Sequence, residues 1–153
     1  MNKLYVLVGV PGSGKSTWFW GQHFSLYMDY VSTDRHVEAY AKEQGKTYTE
    51  VFADYMPTAV ELMTQEVIKY RTAGSDICWD QTSTTQASRA KKLRMLPDYW
   101  PVAVVFPTPI VAVLKERLAS RPGKDVPWAV VQGMIDNFEM PTVAEGFKEI
   151  WRI

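Results

Sequence analysis

The sequence has little cysteine, no excess of either charge and no long apolar run at its start. Cys78 is the only cysteine, which excludes an internal disulfide and a zinc site built from cysteines. A single free thiol suits a reducing compartment, so we expect a cytoplasmic protein. The 17 basic and 17 acidic side chains balance, so no overall field attracts nucleic acid or an anionic membrane. The first apolar stretch is interrupted from Gly9 to Lys15, which argues against a signal peptide or a membrane span.

The most informative stretch is GVPGSGKS at residues 9–16, which fits the phosphate-binding pattern G-x-x-x-x-G-K-[ST]. Glycines let the backbone wrap around phosphate with several N–H groups pointing inward, and the positive end of the following helix faces the same charge. We therefore expect Lys15 to reach the β- and γ-phosphates of ATP and the Ser16 hydroxyl to hold Mg²⁺. The other predicted nucleotide contacts in this loop are Gly12, Ser13, Gly14 and Thr17.

Around this loop, short apolar segments alternate with helical patterns. The predicted strands are 4–8, 27–31, 77–79 and 102–106, and the predicted helices are 16–22, 35–44, 86–96, 110–119 and 126–138. Between Glu50 and Gly74 the helical pattern contains Pro57, which predicts two helices or one kinked helix. Residues 142–153 are either a helix or a strand. The alternation predicts an α/β fold, the three-layer sandwich of P-loop NTPases, with a mainly four-stranded parallel sheet and helices on both faces. At 153 residues, the chain is expected to form a single domain.

Two aspartates follow predicted strands. The carboxyl ends of parallel strands share one edge of the sheet, which places Asp34 and Asp80 beside the phosphate loop. Transfer of phosphate to a hydroxyl needs a nearby carboxylate, so Asp34 is the candidate general base, with the N-cap of the next helix as an equal alternative. Asp80 is interpreted as an acid that assists Mg²⁺, and the alternative is a cap for the turn at 82–85.

Two groups of basic residues are candidates for binding phosphate. Arg117 and Arg121 share one helix face before a Gly/Pro loop, and a lid around 117–127 would bring them to the γ-phosphate. The alternative is a solvated helix C-terminus, which local sequence alone favours. The only dense basic run is a candidate polynucleotide surface or else an ordinary charged helix face, and it consists of Arg89, Lys91, Lys92 and Arg94.

Four stretches together resemble the 5′-polynucleotide kinase family over nearly the whole chain. They are the phosphate loop at 10–17, the segment Ser32-Thr33-Asp34-Arg35, residues 80–82 with 87–90, and Arg121 with 126–127 and 138–147. The last of these, FEMPTVAEGF, is the most specific. The resemblance implies transfer of the γ-phosphate of ATP to the 5′-hydroxyl of DNA or RNA. It makes Asp34 the base, Lys15 and Ser16 the phosphate and Mg²⁺ ligands, and Arg121 a lid arginine, with Arg117 near the nucleotide.

The chain also departs from the family pattern. The phage-type enzyme carries a further arginine three residues after its base, and Val37 stands at that position here. Arg35 or His36 is left for the acceptor, or the acceptor is held differently, and we take Arg35 and Arg89 as substrate contacts. Thr82 stands where the family often has Asn. No phosphatase motif is present, so the chain resembles a kinase module alone.

The sequence therefore predicts an Mg²⁺- and ATP-dependent kinase whose acceptor is the 5′-hydroxyl of a polynucleotide. One alternative is a kinase acting on a nucleoside or another small hydroxyl compound, which the neutral net charge favours slightly. A second alternative is a nucleotide-binding module without turnover. No membrane partner is expected, and the sequence leaves the oligomeric state open.

Overall fold

The computed structural model describes residues 1–153, and a five-stranded parallel sheet lies at its centre. The strands are β1 (Lys3–Val8), β2 (Asp29–Val31), β3 (Ile77–Asp80), β4 (Trp100–Val105) and β5 (Glu149–Arg152). Their order across the sheet is β2-β3-β1-β4-β5, and every neighbouring pair is parallel. Strand β1 is paired on both sides and buried from Leu4 onwards, which explains its continuous apolar sequence.

Six α-helices and two short 3-10 helices connect the strands. The α-helices are α1 (Lys15–Trp20), α2 (Thr33–Gln44), α3 (Tyr48–Ala73), α4 (Gln86–Met95), α5 (Val111–Ala119) and α6 (Trp128–Asp136). The 3-10 helices are His23–Tyr27 and Val143–Glu145. None of these helices combines the length and the apolar character that a membrane crossing requires.

Alternating side chains of β1 divide the core into two layers. Leu4 and Val6 pack with Met63 of α3 in one cluster, whereas Leu7 packs with Phe19 of α1 in another. Because successive side chains of a strand point to opposite faces, helices cover both sides of the sheet. The predicted α/β class and the helices on both faces are confirmed.

The long helix α3 corrects the expectation of two helices. It runs unbroken through Pro57. Proline lacks an N–H group and so frees the carbonyl four residues earlier, that of Ala53. Both residues are exposed, so water can donate to the freed carbonyl, while Val51 and Met63 keep the opposite face of the helix in the core.

Two strands differ in extent from the expectation. Strand β2 begins at Asp29, because His23–Tyr27 forms a 3-10 helix instead of the start of a strand. The segment at 142–153, which the sequence left open, contains a 3-10 turn followed by β5. Strand β5 pairs with β4 through Val102 and Glu149 and adds a fifth strand at the sheet edge.

Gly133 lies inside α6, and a methyl group added there would meet no atom within 4 Å. We expect Gly133→Ala to raise the free energy of unfolding by about 0.5–1 kcal/mol, since glycine weakens a helix interior by that amount. Urea unfolding followed by circular dichroism measures the change. The contrasting variant is Gly123→Ala, which should destabilise because Gly123 has a φ of +67° and its Cβ would lie 2.9 Å from Thr47. Equal or lower stability of Gly133→Ala would contradict the prediction.

Candidate active site

The phosphate loop connects β1 to α1 and has the backbone shape its glycines predict. Gly12 and Gly14 have φ values of +82° and +93°, which side-chain-bearing residues rarely adopt. A Cβ at Gly9 would lie 2.6 Å from Ser13 Oγ and 3.1 Å from Phe106 Cβ, so a side chain there would displace Ser13. Ser13 Oγ is buried and has no hydrogen-bond partner. Tight glycine turns and an unpartnered hydroxyl fit a loop that closes around phosphate.

Lys15, the first residue of α1, is buried against this loop. Its Nζ donates to the carbonyl oxygens of Gly9 at 2.9 Å and Val10 at 3.1 Å. Burial lowers the pKa of Lys15 to about 8, although the nearby carboxylates of Asp80 and Asp34 act in the opposite direction. The ammonium group is therefore held inside the loop, where a nucleotide phosphate would meet it.

Asp80 ends β3 and faces the start of α1, as expected for the neighbouring strand. Its Oδ2 accepts hydrogen bonds from Ser16 Oγ at 2.7 Å and from the Tyr30 hydroxyl at 2.6 Å. Burial and the Asp80 carboxylate raise the pKa of Tyr30 well above its usual value, so Tyr30 stays a donor. No hydrogen bond joins Asp80 to the turn at 82–85, so the alternative cap role is not observed.

The Ser16–Asp80 pair fits the expected Mg²⁺ chemistry. Hydroxyl and carboxylate oxygens are the hard donors that Mg²⁺ prefers, and this ion normally takes one or two protein ligands plus water and substrate phosphates. No cluster of three or more His, Cys, Asp or Glu side chains forms a complete metal cage. The pair would hold the ion only together with nucleotide phosphates.

Asp34 occupies the first turn of α2, and its N-cap alternative is wrong because Ser32 is the N-cap residue. The Tyr48 hydroxyl donates to Asp34 Oδ1 at 2.6 Å, and Lys124 Nζ donates to Oδ2 at 3.0 Å. Burial raises the pKa of Asp34, but the Lys124 charge and the Tyr48 hydrogen bond outweigh it and lower the pKa. Asp34 is thus an ionised carboxylate with both oxygens engaged.

Sequence reasoning gave no role to three of these partners, Tyr30, Tyr48 and Lys124. Lys124 is 90 residues from Asp34 along the chain, and no local pattern links them. Its position in the Gly/Pro loop at 120–127, between α5 and α6, was the one available signal. Tyr48 is adjacent to the Thr47 capping box that starts α3, which marks the helix start but says nothing of what its first side chain touches.

The two predicted lid arginines border the phosphate loop. Arg117, in the last turn of α5, is exposed and donates through Nη1 to the Gly12 carbonyl at 3.1 Å. Arg121 is partly buried, and its charge contributes to lowering the pKa of both Lys15 and Asp34. Arg117 therefore contacts the phosphate loop directly, and the Arg121 charge is close enough to act on Lys15 and Asp34.

Arg89 corrects one predicted substrate contact. Its side chain is 0 % exposed, and it forms a two-pronged ion pair with Glu145, from Nε to Oε1 at 2.8 Å and from Nη2 to Oε2 at 3.1 Å. Its Nη1 donates to the Ser83 carbonyl at 3.0 Å. All three nitrogens are thus occupied inside the protein, and the predicted substrate contact is wrong. Lys92 is also buried, 5.5 Å from the Trp79 ring centroid, so the basic run offers no continuous surface.

Arg35 and Val37 occupy opposite sides of the first turns of α2. The Arg35 side chain is about half exposed. Its Nη2 lies 3.6 Å from Glu66 Oε2, and its Cζ lies 5.3 Å from the centroid of the Tyr30 ring. Its role toward an acceptor stays a prediction. Val37 is fully buried in a cluster with Ala41 of the same helix, so it is a core residue with no surface to offer a substrate.

Comparison with known proteins gives one family and a set of shared folds. A family model described as an AAA domain matches residues 4–141. A candidate kinase from Chloroflexus aurantiacus J-10-fl is 18% identical with a TM-score of 0.72, covering 99% of this chain and 84% of the other. A gluconokinase from Sinorhizobium meliloti 1021 is 18% identical with a TM-score of 0.58, covering 99% and 81%. A chain of the Pnkp1/Rnl/Hen1 RNA repair complex is 20% identical with a TM-score of 0.64, covering 89% and 43%. No curated protein matches the sequence.

Proposed function

The chain belongs to the AAA-domain family, and from this premise we propose that it is a kinase transferring the γ-phosphate of ATP to the 5′-hydroxyl of a polynucleotide. Its parallel sheet with helices on both faces is of the P-loop NTPase type. The observation that carries the proposal is Asp34, an ionised carboxylate one strand away from Asp80 at the edge where the phosphate loop opens. A nucleotide-binding module without turnover has no need of this second carboxylate.

In this proposal the chain divides the work between donor and acceptor sides. Lys15 and the loop amides hold the donor phosphates, and Ser16 with Asp80 holds Mg²⁺, which when bound screens the phosphate charge. Asp34 accepts the proton of the acceptor hydroxyl. The hydroxyl oxygen bonds to the γ-phosphorus as the bond from that phosphorus to the β–γ bridging oxygen breaks, and ADP leaves with the electron pair. Arg121 neutralises the negative charge that develops on the γ-phosphate during the transfer.

The polynucleotide acceptor is supported by the resemblance of 138–147 and by the fold shared with a chain of an RNA repair complex. A specific observation favours a second candidate, a kinase acting on a nucleoside or another small hydroxyl compound. Glu38, with more than half of its side chain exposed, shares the Lys124 ammonium group with Asp34, and the net negative charge that these two carboxylates leave disfavours a polyanionic backbone. Arg89 is not available to contact a polynucleotide, and this also favours the second candidate.

The test is an acceptor panel with ATP labelled at the γ-phosphate. We expect label on DNA or RNA oligonucleotides bearing a 5′-hydroxyl and none on matched oligonucleotides that already carry a 5′-phosphate. Nucleosides and small polyols run in parallel. Labelling of a small compound with no oligonucleotide labelled would establish the second candidate, and ATP binding with no labelled acceptor at all would overturn both.

Nucleotide binding should depend on pH through Lys15. The free protein has a Lys15 pKa of about 8, and bound phosphates favour the charged ammonium. Below that pH the lysine is already charged and the affinity is constant. Above it, binding takes up a proton, so the association constant should fall by up to about tenfold per pH unit. Calorimetric titration with ATP in buffers of different ionisation enthalpy measures both the affinity and the proton uptake.

The control for this pH dependence is Lys15→Met, which has no ammonium group to titrate. It should bind more weakly and show no proton uptake. A wild-type affinity that stays constant from about pH 7 to 9, or equal proton uptake in the variant, would contradict the assignment.

A further inference from the structure

The α5–α6 loop, residues 120–127, is seated on the start of α3. The Gly123 carbonyl accepts from the backbone N–H of Thr49 at 3.0 Å and from its hydroxyl at 3.1 Å. The N–H of Asp125 donates to Thr49 Oγ1 at 2.8 Å. The backbone on both sides of Lys124 is therefore tied to one residue of α3, and this fixes where Lys124 points.

With the loop held in this way, the Lys124 side chain extends toward Asp34, the proposed base on the acceptor side of the site. Its side chain is only 16 % exposed, and its Nζ lies 3.0 Å from Asp34 Oδ2 and 3.0 Å from Glu38 Oε1. The same atom lies 4.5 Å from the Tyr48 ring centroid, within range of a cation–π contact. Asp34 and Glu38 are one turn apart on α2, so one ammonium group bridges two like charges that would otherwise repel.

Asp34 is consequently held from two different elements. Tyr48 of α3 engages Oδ1, and Lys124 of the α5–α6 loop engages Oδ2. A carboxylate gripped at both oxygens has little rotational freedom, and one held at a single oxygen can turn toward solvent. The hydrogen bond from Lys124 to Oδ2 depends on the hydrogen bonds that hold the α5–α6 loop to Thr49.

We propose that Lys124 is a positioning residue through which docking of the α5–α6 loop orients the Asp34 carboxylate. The inference rests on the proposed function of Asp34 as the base. Docking of the loop on α3 and correct orientation of the base are then one event, so Asp34 is placed for proton abstraction only while the loop is docked. The loop carries two cations: Lys124, which contacts Asp34 Oδ2, and Arg121, whose charge acts on both Lys15 and Asp34.

Lys124→Met tests the proposal, with Lys124→Arg as the conservative variant. We expect Lys124→Met to lower kcat by about 10- to 100-fold with the KM for ATP unchanged, because a small misplacement of a reacting group has that effect. Lys124→Arg should recover most of the rate, since it keeps the charge. Lys42→Met, which removes an exposed charge from the far end of α2, is the matched control and should behave as wild type.

The pH dependence separates positioning from a merely structural role. The groups that face Asp34 are Lys124 and Arg121 from the α5–α6 loop, Tyr48 from α3, Glu38 from α2 and Lys15 from the start of α1. Without the Lys124 charge, the Asp34 pKa should rise, so the acidic limb of the kcat profile should move to higher pH. Carbon-13 NMR titration of the Asp34 carboxyl group measures the same shift without any turnover.

The outcomes distinguish this inference from the proposed function. If Asp34→Asn transfers phosphate normally, the base assignment fails. If Asp34→Asn is inactive while Lys124→Met keeps the wild-type kcat, only the positioning role is overturned, whether or not the NMR titration shifts. An effect of Lys124→Met confined to the KM for ATP would also overturn it, because Lys124 would then contact the nucleotide. Should Lys124→Met fail to fold, a wild-type rate and titration in Lys124→Arg would support the charge requirement, and a loss of rate in a folded Lys124→Arg would oppose it.

Discussion

Asp34→Asn is expected to lower kcat for phosphoryl transfer by about 10²- to 10⁴-fold, the range that a positioned general base contributes. The amide has nearly the same size and its oxygen can still accept from the Tyr48 hydroxyl, so the fold is kept. It cannot take the proton of the acceptor hydroxyl, and it carries no charge to attract Lys124. Initial rates with labelled ATP measure the loss, and calorimetry should show that ATP still binds.

The matched control is Asp29→Asn. Asp29 lies at the start of β2, whereas Asp34 follows its end, so this variant removes a carboxylate from the opposite edge of the sheet. It should transfer phosphate at the wild-type rate. If Asp34→Asn keeps more than about a tenth of the wild-type kcat, the loss of rate is smaller than the contribution of a general base. The catalytic assignment is then wrong.

Arg89→Met is expected to lower the free energy of unfolding by about 3–5 kcal/mol, the loss typical of breaking a buried ion pair from one side. Methionine fills much of the space of the arginine stem but leaves Glu145, whose side chain is only 4 % exposed, without its partner. The Ser83 carbonyl loses its donor as well. Urea unfolding at neutral pH, followed by circular dichroism, measures the change.

The effect should also depend on pH. Burial raises the pKa of Glu145, but hydrogen bonds from Arg89 and Thr142 outweigh it and lower the pKa below its ordinary value of 4.5. In the wild type, ionised Glu145 therefore contributes its full stabilisation to the folded state above a pH of about 4.5. This stabilisation is lost as the pH falls through the lower pKa that Glu145 has in the folded protein. The difference between Arg89→Met and wild type should shrink in acid.

Arg94→Met is the control, since Arg94 lies exposed on the same helix. It should change the free energy of unfolding by no more than about 0.5 kcal/mol, as most surface substitutions do. Combining Arg89→Met with Glu145→Gln should recover part of the loss, because the variant no longer buries an unpaired charge. If Arg89→Met unfolds with the same urea midpoint as the wild type, the Arg89–Glu145 pair has no net role in stability.

The donor half of the candidate site was predictable because its information is local. A phosphate loop is read from eight consecutive residues, and the alternation of strands and helices follows from periods of two and 3.6 residues. The rule that parallel strands end at one edge then places Asp34 and Asp80 correctly without knowledge of any contact. Two local predictions failed: residues 27–28 precede β2, which begins at Asp29, and α3 continues through Pro57. Whether a helix survives a proline depends on whether the freed carbonyl reaches water.

The basic run shows the limit of local reading. Arg89 and Arg94 are the same residue type on one helix, yet one is fully buried on Glu145 and the other is exposed. Charge density along the sequence made both residues candidates for a polynucleotide surface, with an ordinary charged helix face as the alternative. Which face of α4 turns inward depends on the packing of a segment near the end of the chain, and a run of like residues carries no such information.

By itself, therefore, the sequence determined the α/β architecture, the phosphate loop and the sheet edge on which the chemistry is expected. The tertiary structure alone decided that Arg89 is an internal ion-pair partner, that 149–152 adds a fifth strand, and that Tyr48 and Lys124 grip Asp34. The physical reason is distance along the chain. Patterns of neighbouring residues specify helices, strands and loops, whereas burial and ion pairing depend on residues as far apart as Asp34 and Lys124, which only folding brings into contact.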